Sequence, residues 1–202
     1  MAVRVSRAAQ VELNRDRVLE AARRVFLARG YGGATIEAIT EEAGFSKGVV
    51  YSQFSSKADL FLALLRQRVE ALADQNDRIV REHSGADAAR ALFRAGEQRA
   101  RDQAGWARLL IEFRLVAARD PELNRRYAET HEFTVTRLAA ALEQAVEPWR
   151  SPLTPRLVAQ LTLAVASGLA LERAADPTAL PTEAVETVLS DLLRLTSVPT
   201  EG

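Results

Sequence analysis

The sequence predicts an all-α protein, a small N-terminal three-helix unit followed by a larger C-terminal helical domain, on three observations. Apolar residues recur at helical spacing along nearly the whole chain. Capping residues and glycines close the early segments, while Pro121, Pro148, Pro152, Pro155, Pro177 and Pro181 punctuate the later ones, several at first-turn positions where the missing donor is harmless. No alternating strand pattern, internal repeat or low-complexity tract interrupts them.

Val18, Ala21, Ala22, Val25 and Phe26 fall at i, i+3, i+4, i+7 and i+8 and form one face of a first helix, with Arg15, Arg23 and Arg24 turned away. Asn14 is its expected N-cap, residues 1–13 a flexible arm, and Gly30 the left-handed residue that ends it. Thr35 caps a second helix with Glu37 in its first turn, Ile36, Ile39 and Ala43 as apolar face and Gly44 as stop. Ser46 can cap a third, short helix from Lys47 to about Phe54, in which Val50 and Phe54 point the same way. Ser56 with Asp59 at N3 is an acidic variant of the capping box and opens a fourth helix, through Leu60, Phe61, Leu64, Leu65, Val69 and Leu72 to about His83. This long helix is expected to link a domain at 14–55 to one at 56–202, where five further helices are expected over about 87–102, 105–119, 121–147, 155–174 and 182–196.

Composition bounds the function classes. The chain has 202 residues, 48% hydrophobic and 27% charged, with 27 basic side chains against 27 acidic, the profile of an ordinary globular protein. The absence of cysteine excludes disulfides, thiolate nucleophiles and cysteine-ligated metals, and fits a reducing cytoplasm. Met1 to Asn14 lacks the apolar core of a secretion signal, so export is not expected. The longest apolar run, Leu161 to Leu171, is broken by Thr162, Ser167 and Gly168 and falls short of the ~20 residues of a bilayer span; it is expected to be a buried helix, with no membrane partner. With two histidines, His83 and His131, and no phosphate-binding glycine loop or HExxH pattern, no enzymatic machinery, metal site or cofactor is expected.

Overall neutrality hides an asymmetry. Met1 to Arg68 carries eleven Lys/Arg against seven Asp/Glu, and the remainder carries sixteen against twenty, so the two parts are +4 and −4. The only two lysines, Lys47 and Lys57, both lie in the basic part. Within it, two short helices joined by the turn Ala43-Gly44-Phe45-Ser46 form a helix-turn-helix, whose second short helix is the one offered to a DNA major groove. With Val50 inward, Gly48 and Ser52 point outward, Val49 and Tyr51 flank them, and Lys47 and Gln53 lie nearer the edges. Gly48 lets the helix end approach the bases, Val49 suits a thymine methyl, and Ser52 and Gln53 suit base edges or phosphates. Lys47 reaches a guanine edge or a phosphate; Tyr51, and Thr35 and Lys57 at helix N-termini, suit phosphates.

The series Ala34-Thr35, Ile39, Glu42-Ala43-Gly44-Phe45-Ser46-Lys47-Gly48-Val49-Val50-Tyr51, Phe54, Ser56-Lys57 and Leu60 resembles the DNA-binding domain of TetR-type transcriptional regulators, over about Asn14 to Leu65. The resemblance implies a three-helix DNA-binding domain, a larger helical domain that binds a small-molecule effector and dimerises, and a homodimer on a palindromic double-stranded operator, most often as a repressor. The chain departs from the family at Val49, often threonine, and at Ser52 and Gln53, often bulky or imidazole side chains, which leaves the operator sequence open. The stretches AARDPELNRRY and SGLALERAADP resemble the family's effector domains more loosely. An activator, an effector-free regulator, and a helical carrier or enzyme with a vestigial DNA-binding domain are the alternatives.

Physics alone singles out two further features. Leu157, Leu161, Ala164, Val165 and Gly168 form one apolar stripe, and Val185, Val188, Leu189, Leu192 and Leu195 another; two such stripes per subunit build a four-helix interface across a two-fold axis, unless both pack inside the monomer. Trp106, Phe113, Arg114 and His131 are candidate effector contacts, with Arg114 suited to an anion; the competing account makes the aromatics core and leaves Arg114 on the surface or paired with Glu112.

Overall fold

The computed structural model describes residues 6–149, 151–185 and 187–188. Among the described residues it contains α1 (Arg7–Gly33), α2 (Ile36–Ala43), α3 (Lys47–Tyr51), α4 (Lys57–Glu82), α5 (Gly85–Asp102), α6 (Ala104–Ala117), α7 (Pro121–Ala145) and α8 (Pro155–Ala175), and no strand. The all-α expectation holds. Thr182–Val185 and residues 187–188 are also helical; the rest of the expected final helix, with Leu189, Leu192 and Leu195, lies outside the described residues.

The start of α1 differs from expectation. Ser6 is the N-cap, its hydroxyl accepting from the Ala9 amide at 3.1 Å, and Asn14 sits inside the helix, accepting from the Gln10 side chain. Residues 7–13 are therefore helix rather than arm. Val11 and Leu13 are exposed, so this extra length faces no core and carries no apolar period from which it could be read. The third helix is also shorter than expected, ending at Tyr51, although the Phe54 amide still donates to the Val50 carbonyl at 2.9 Å.

The chain packs as two compact units that interleave in sequence. Unit 1 takes the chain up to Arg68 together with Leu109–Thr130, and unit 2 takes Val69–Arg108 and the chain from His131. Thus α4, α6 and α7 each contribute to both units. The 109–130 segment adds four basic and four acidic residues, so unit 1 keeps the +4 of its N-terminal part.

In unit 1 the expected apolar faces converge: Val18, Ala21, Ala22 and Phe26 of α1, Ile39 of α2, Val50 of α3 and Leu60 and Phe61 of α4 are fully buried. Each larger side chain contributes about 1.5–3 kcal/mol by leaving water. In unit 2, Val80, Ala88, Leu92, Ala141 and Ala145 form a core of α4, α5 and α7 residues. The α8 expectation is corrected: the Leu161–Leu171 run is not a buried helix in the single chain, since α8 buries only Ala159 and Leu169. By length and composition alone α8 is also apolar enough to cross a membrane.

Candidate nucleic-acid interface

The turn between α2 and α3 is fixed by Gly44, whose φ of 68° and ψ of 30° put it in the left-handed region that a residue with a Cβ avoids. The Gly44 and Phe45 amides close the end of α2 by donating back to the Glu41 and Thr40 carbonyls, at 3.1 and 3.2 Å. Arg17 of α1 lies over the Phe45 ring and Arg15 over the Phe54 ring, at 4.8 and 4.5 Å from the centroids, so two arginines brace the aromatics on either side of α3.

This frame anchors α3 through Val50 and Phe54 and leaves Ser46, Lys47, Gly48, Tyr51 and Ser52 exposed, with Val49 and Gln53 at the margin. The outward face is the expected one. A Cβ on Gly48 would meet only the Ser46 hydroxyl, at 3.8 Å, so no protein atom stands over that spot. Several side chains already have local partners. Thr35 caps α2 by accepting from the Ala38 amide at 3.2 Å, and the Ser52 hydroxyl donates to the Val49 carbonyl at 2.8 Å. Ser46 holds the N-cap position of α3 without a side-chain cap hydrogen bond. Lys47 pairs with Glu37 at 2.7 Å, and the pair holds the Glu37 carboxyl below the usual range and raises the Lys47 ammonium. Gln53 Oε1 is buried without a hydrogen-bond partner.

Lys57 is the most tightly held of the expected DNA contacts. Its ammonium donates to the carbonyls of Tyr31 and Ala34, at 2.8 and 2.9 Å, and stands 4.6 Å from the centre of the Tyr31 ring. Burial lowers its pKa. Two of its three protons are thus committed to the C-terminal end of α1, and one remains for a phosphate.

Beneath this face lies an assembly that sequence reading did not find. Gly30 interrupts α1 with φ 70° and ψ 173°, and the Glu112 carboxylate of α6 occupies the place where a Cβ would stand, with Oε2 2.5 Å from that position. Glu112 accepts there from the Tyr31 amide at 2.8 Å. Tyr31, Phe26, Phe61 and Phe113 form a ring cluster, with Phe61 and Phe113 stacked at 4.3 Å and Tyr31 edge-on to both. Asp59 accepts from the Asp59-facing guanidinium of Arg126 on α7 and from the Ser55 hydroxyl, while its amide donates to Ser56 at the expected capping box. Burial works to raise the Asp59 carboxyl, but hydrogen bonds from Ser55, Arg126 and Ser56 outweigh it and hold the pKa below the usual range. Glu112 and Arg126 carried no local signal, because their partners are 81 and 67 residues away.

The candidate effector contacts are dispersed. Phe113 is core of unit 1, and Arg114 is exposed, 5.8 Å from the Tyr127 ring centre, while Glu112 serves Tyr31 rather than Arg114. Trp106 is buried and His131 half-buried, both assigned to unit 2. On α8, Leu157, Leu161 and Val165 keep 40%, 49% and 38% of their surface, and Gly168 is exposed beside them. Val188 is likewise exposed, whereas Val185 is 8% exposed and packs within the chain rather than on the expected outer stripe.

The family description "Bacterial regulatory proteins, tetR family" matches residues 18–64, and "BetI-type transcriptional repressor, C-terminal" matches residues 85–196. The HTH-type transcriptional repressor AcnR of Corynebacterium diphtheriae is 30% identical over 120 residues, 59% of this chain and 58% of that protein. The chain thus spans rather more than half the length of this curated relative. A solved transcriptional regulator from Rhodococcus sp. Rha1 is 29% identical with a TM-score of 0.64, covering 91% of this chain and 98% of that one. The fold is also that of the regulator FadR from Bacillus subtilis, solved in complex with stearoyl-CoA, at a TM-score of 0.68 and 17% identity over 91% of this chain and 98% of the other. With the second description alone matching more than half of its length, this chain belongs to the TetR family of bacterial regulatory proteins.

Proposed function

We propose that this protein is a dimeric transcriptional repressor of the cytoplasm, which binds a palindromic operator through α3 and leaves it when a small-molecule effector binds the helical domain. The observation that carries the reading is the exposed face of α3: a helix pinned from behind by Val50 and Phe54 presents Lys47, Gly48, Val49, Tyr51 and Ser52 outward on a unit of net charge +4. Small and polar side chains at a helix end, with cations beside them, suit entry into a major groove and contact with its phosphates. In this role Ser46 and Thr35 sit at helix starts beside the phosphates, Lys57 offers its remaining proton, and Gln53 gains a partner for its carbonyl oxygen by turning toward a base edge.

The uncovered α8 stripe of Leu157, Leu161, Val165 and Gly168 supports pairing with a second copy. Gln160 and Thr162 are exposed on the same helix, and lipid on all sides would leave them without water, so a protein surface suits α8 better than a bilayer. The named relative AcnR is a repressor and FadR was solved with stearoyl-CoA, which supports repression and release by an effector here. Trp106 and His131 are the effector contacts of this reading; the buried Phe113 and the exposed Arg114 belong to unit 1.

Release requires the effector to favour a state in which the two α3 helices no longer match half-sites about one DNA turn (~34 Å) apart. The levers are α4 and α6, each of which belongs partly to unit 1 and partly to unit 2. Selection of bound fragments from the source genome, followed by release with a panel of metabolites, tests the whole reading. Enrichment of a palindrome and its release by at least one compound is the expected result; retention of no specific fragment refutes it.

A further inference from the structure

Unit 2 holds a half-buried cation that no carboxylate among the described residues meets. Arg99 stands two turns beyond the core residue Leu92 on α5, and its guanidinium donates to two neutral side chains of α4, Asn76 Oδ1 at 3.0 Å and Gln75 Oε1 at 3.4 Å. Asn76 is itself buried, one of the few polar residues in that condition. Among the described acids near these residues in sequence, Asp74 is exposed and three others are engaged elsewhere. Glu97 is buried against Arg173 at 2.9 Å, Asp77 pairs with Arg137 at 2.8 Å, and Asp102 accepts from Gln98 at 2.8 Å. Burial pushes the Arg99 guanidinium below its usual pKa.

A guanidinium taken from water is costly unless a counter-charge meets it. Amide oxygens of Asn76 and Gln75 meet two of its five donors, and the residue as a whole is half-buried. A guanidinium has the planar geometry that takes a carboxylate or phosphate by two parallel hydrogen bonds. Asn76 and Gln75 hold the fork in place in advance, which lowers the ordering cost of binding. We propose that Arg99 anchors an anionic effector, a ligand carrying a carboxylate or phosphate group, inside the helical domain. The assignment rests on the reading of this protein as an effector-released repressor and names the charge of the effector. It replaces Arg114 as the anion contact, since Arg114 is exposed and lies beside Tyr127.

Thermal unfolding of the full chain tests this, in buffers of equal ionic strength in which chloride is replaced stepwise, up to about 100 mM, by acetate, succinate or inorganic phosphate. The expected result is a saturable rise in Tm of a few degrees with the preferred anion, the carboxylate and phosphate arms identifying the headgroup. Arg99→Met abolishes that rise while unfolding, without anion, at or above the wild-type temperature, because it removes an uncompensated cation. Should the Met variant fail to fold, Arg99→Lys decides: an unchanged Tm with a half-saturating concentration raised about tenfold supports the assignment, the fork being lost but the charge kept. No rise above chloride in the wild type overturns it, as does an undiminished response in either variant. The DNA reading is scored separately: if the wild type retains no genomic fragment, the repressor reading fails whatever the anions do. If fragments are retained and the anion response is absent, only Arg99 is misassigned.

Discussion

The ring cluster of unit 1 and the apolar stripe of α8 both present large hydrophobic side chains, yet their surroundings differ. Phe26, Phe61 and Phe113 are fully enclosed by their own chain, whereas Leu157, Leu161 and Val165 retain 40%, 49% and 38% of their surface. The contrast separates what one chain completes from what it leaves for others. The unit that carries α3 is stapled internally by Glu112 to Tyr31, by Arg126 to Asp59 and by Lys57 to the C-terminal end of α1. Among the described residues, the helical domain leaves an apolar face and an arginine met only by amide side chains, the features a second subunit and an anionic ligand would complete.

The largest expected effect comes from breaking the open side of the comparison. Leu161→Glu puts a carboxylate in the centre of the α8 stripe, and in ultracentrifugation it is expected to sediment as a monomer with operator affinity reduced about hundredfold or more, because two half-sites are no longer engaged together. A variant that stays dimeric removes α8 from the interface. On the closed side, Phe113→Ala opens a cavity beside Phe61 and Tyr31 and is expected to cost about 3–5 kcal/mol in denaturant titration, with the association state unchanged. Gly30→Ala is expected to cost about 1–3 kcal/mol, since it forces a positive φ on alanine and displaces the Glu112 carboxylate from the Tyr31 amide. If that displacement matters, the loss in a Glu112→Ala background is smaller than in the wild type, and strict additivity would show that Glu112 is not the contact.

Smaller effects sharpen the picture. Because the Asp59 pKa is held below the usual range in the folded state, its contribution to stability is present above the unfolded pKa and is lost as the pH falls below about 4. Asp59→Asn therefore narrows the stability difference between pH 7 and pH 3, and an unchanged pH profile would dissociate Asp59 from Arg126. Smallest of all is Lys47→Ala: with both partners of the Glu37 pair exposed, Tm is expected to stay put. The dependence of operator binding on salt should still fall by about two units of slope, one for each subunit, if Lys47 meets a phosphate. A changed sequence preference with an unchanged slope would instead place Lys47 on a base.

The parts of the fold legible in the sequence are those whose physics is local. Thr35, Gly44 and the Ser56/Asp59 box act over one turn, and the structure realises each of them with hydrogen bonds inside four residues or with a left-handed glycine. The first two turns of α1 escaped notice because a solvated helix has no apolar period. The spacing of Leu157, Leu161 and Val165 is the same whether a helix is covered by its own chain or by another, so the sequence could not say that α8 would stand uncovered. Glu112, Arg126 and Arg99 act on partners 81, 67 and 23 residues away, and their roles exist only once the helices have packed.

The central claim, that two copies of this chain set two α3 helices into one stretch of duplex, is tested most directly by a hydroxyl-radical footprint of the wild type on a fragment selected from the source genome, with the mass of the complex measured in parallel. The account predicts two protected half-sites about one helical turn (~34 Å) apart under a complex holding two subunits for each pair of half-sites. A single protected patch under one subunit, or protection independent of sequence, would contradict it.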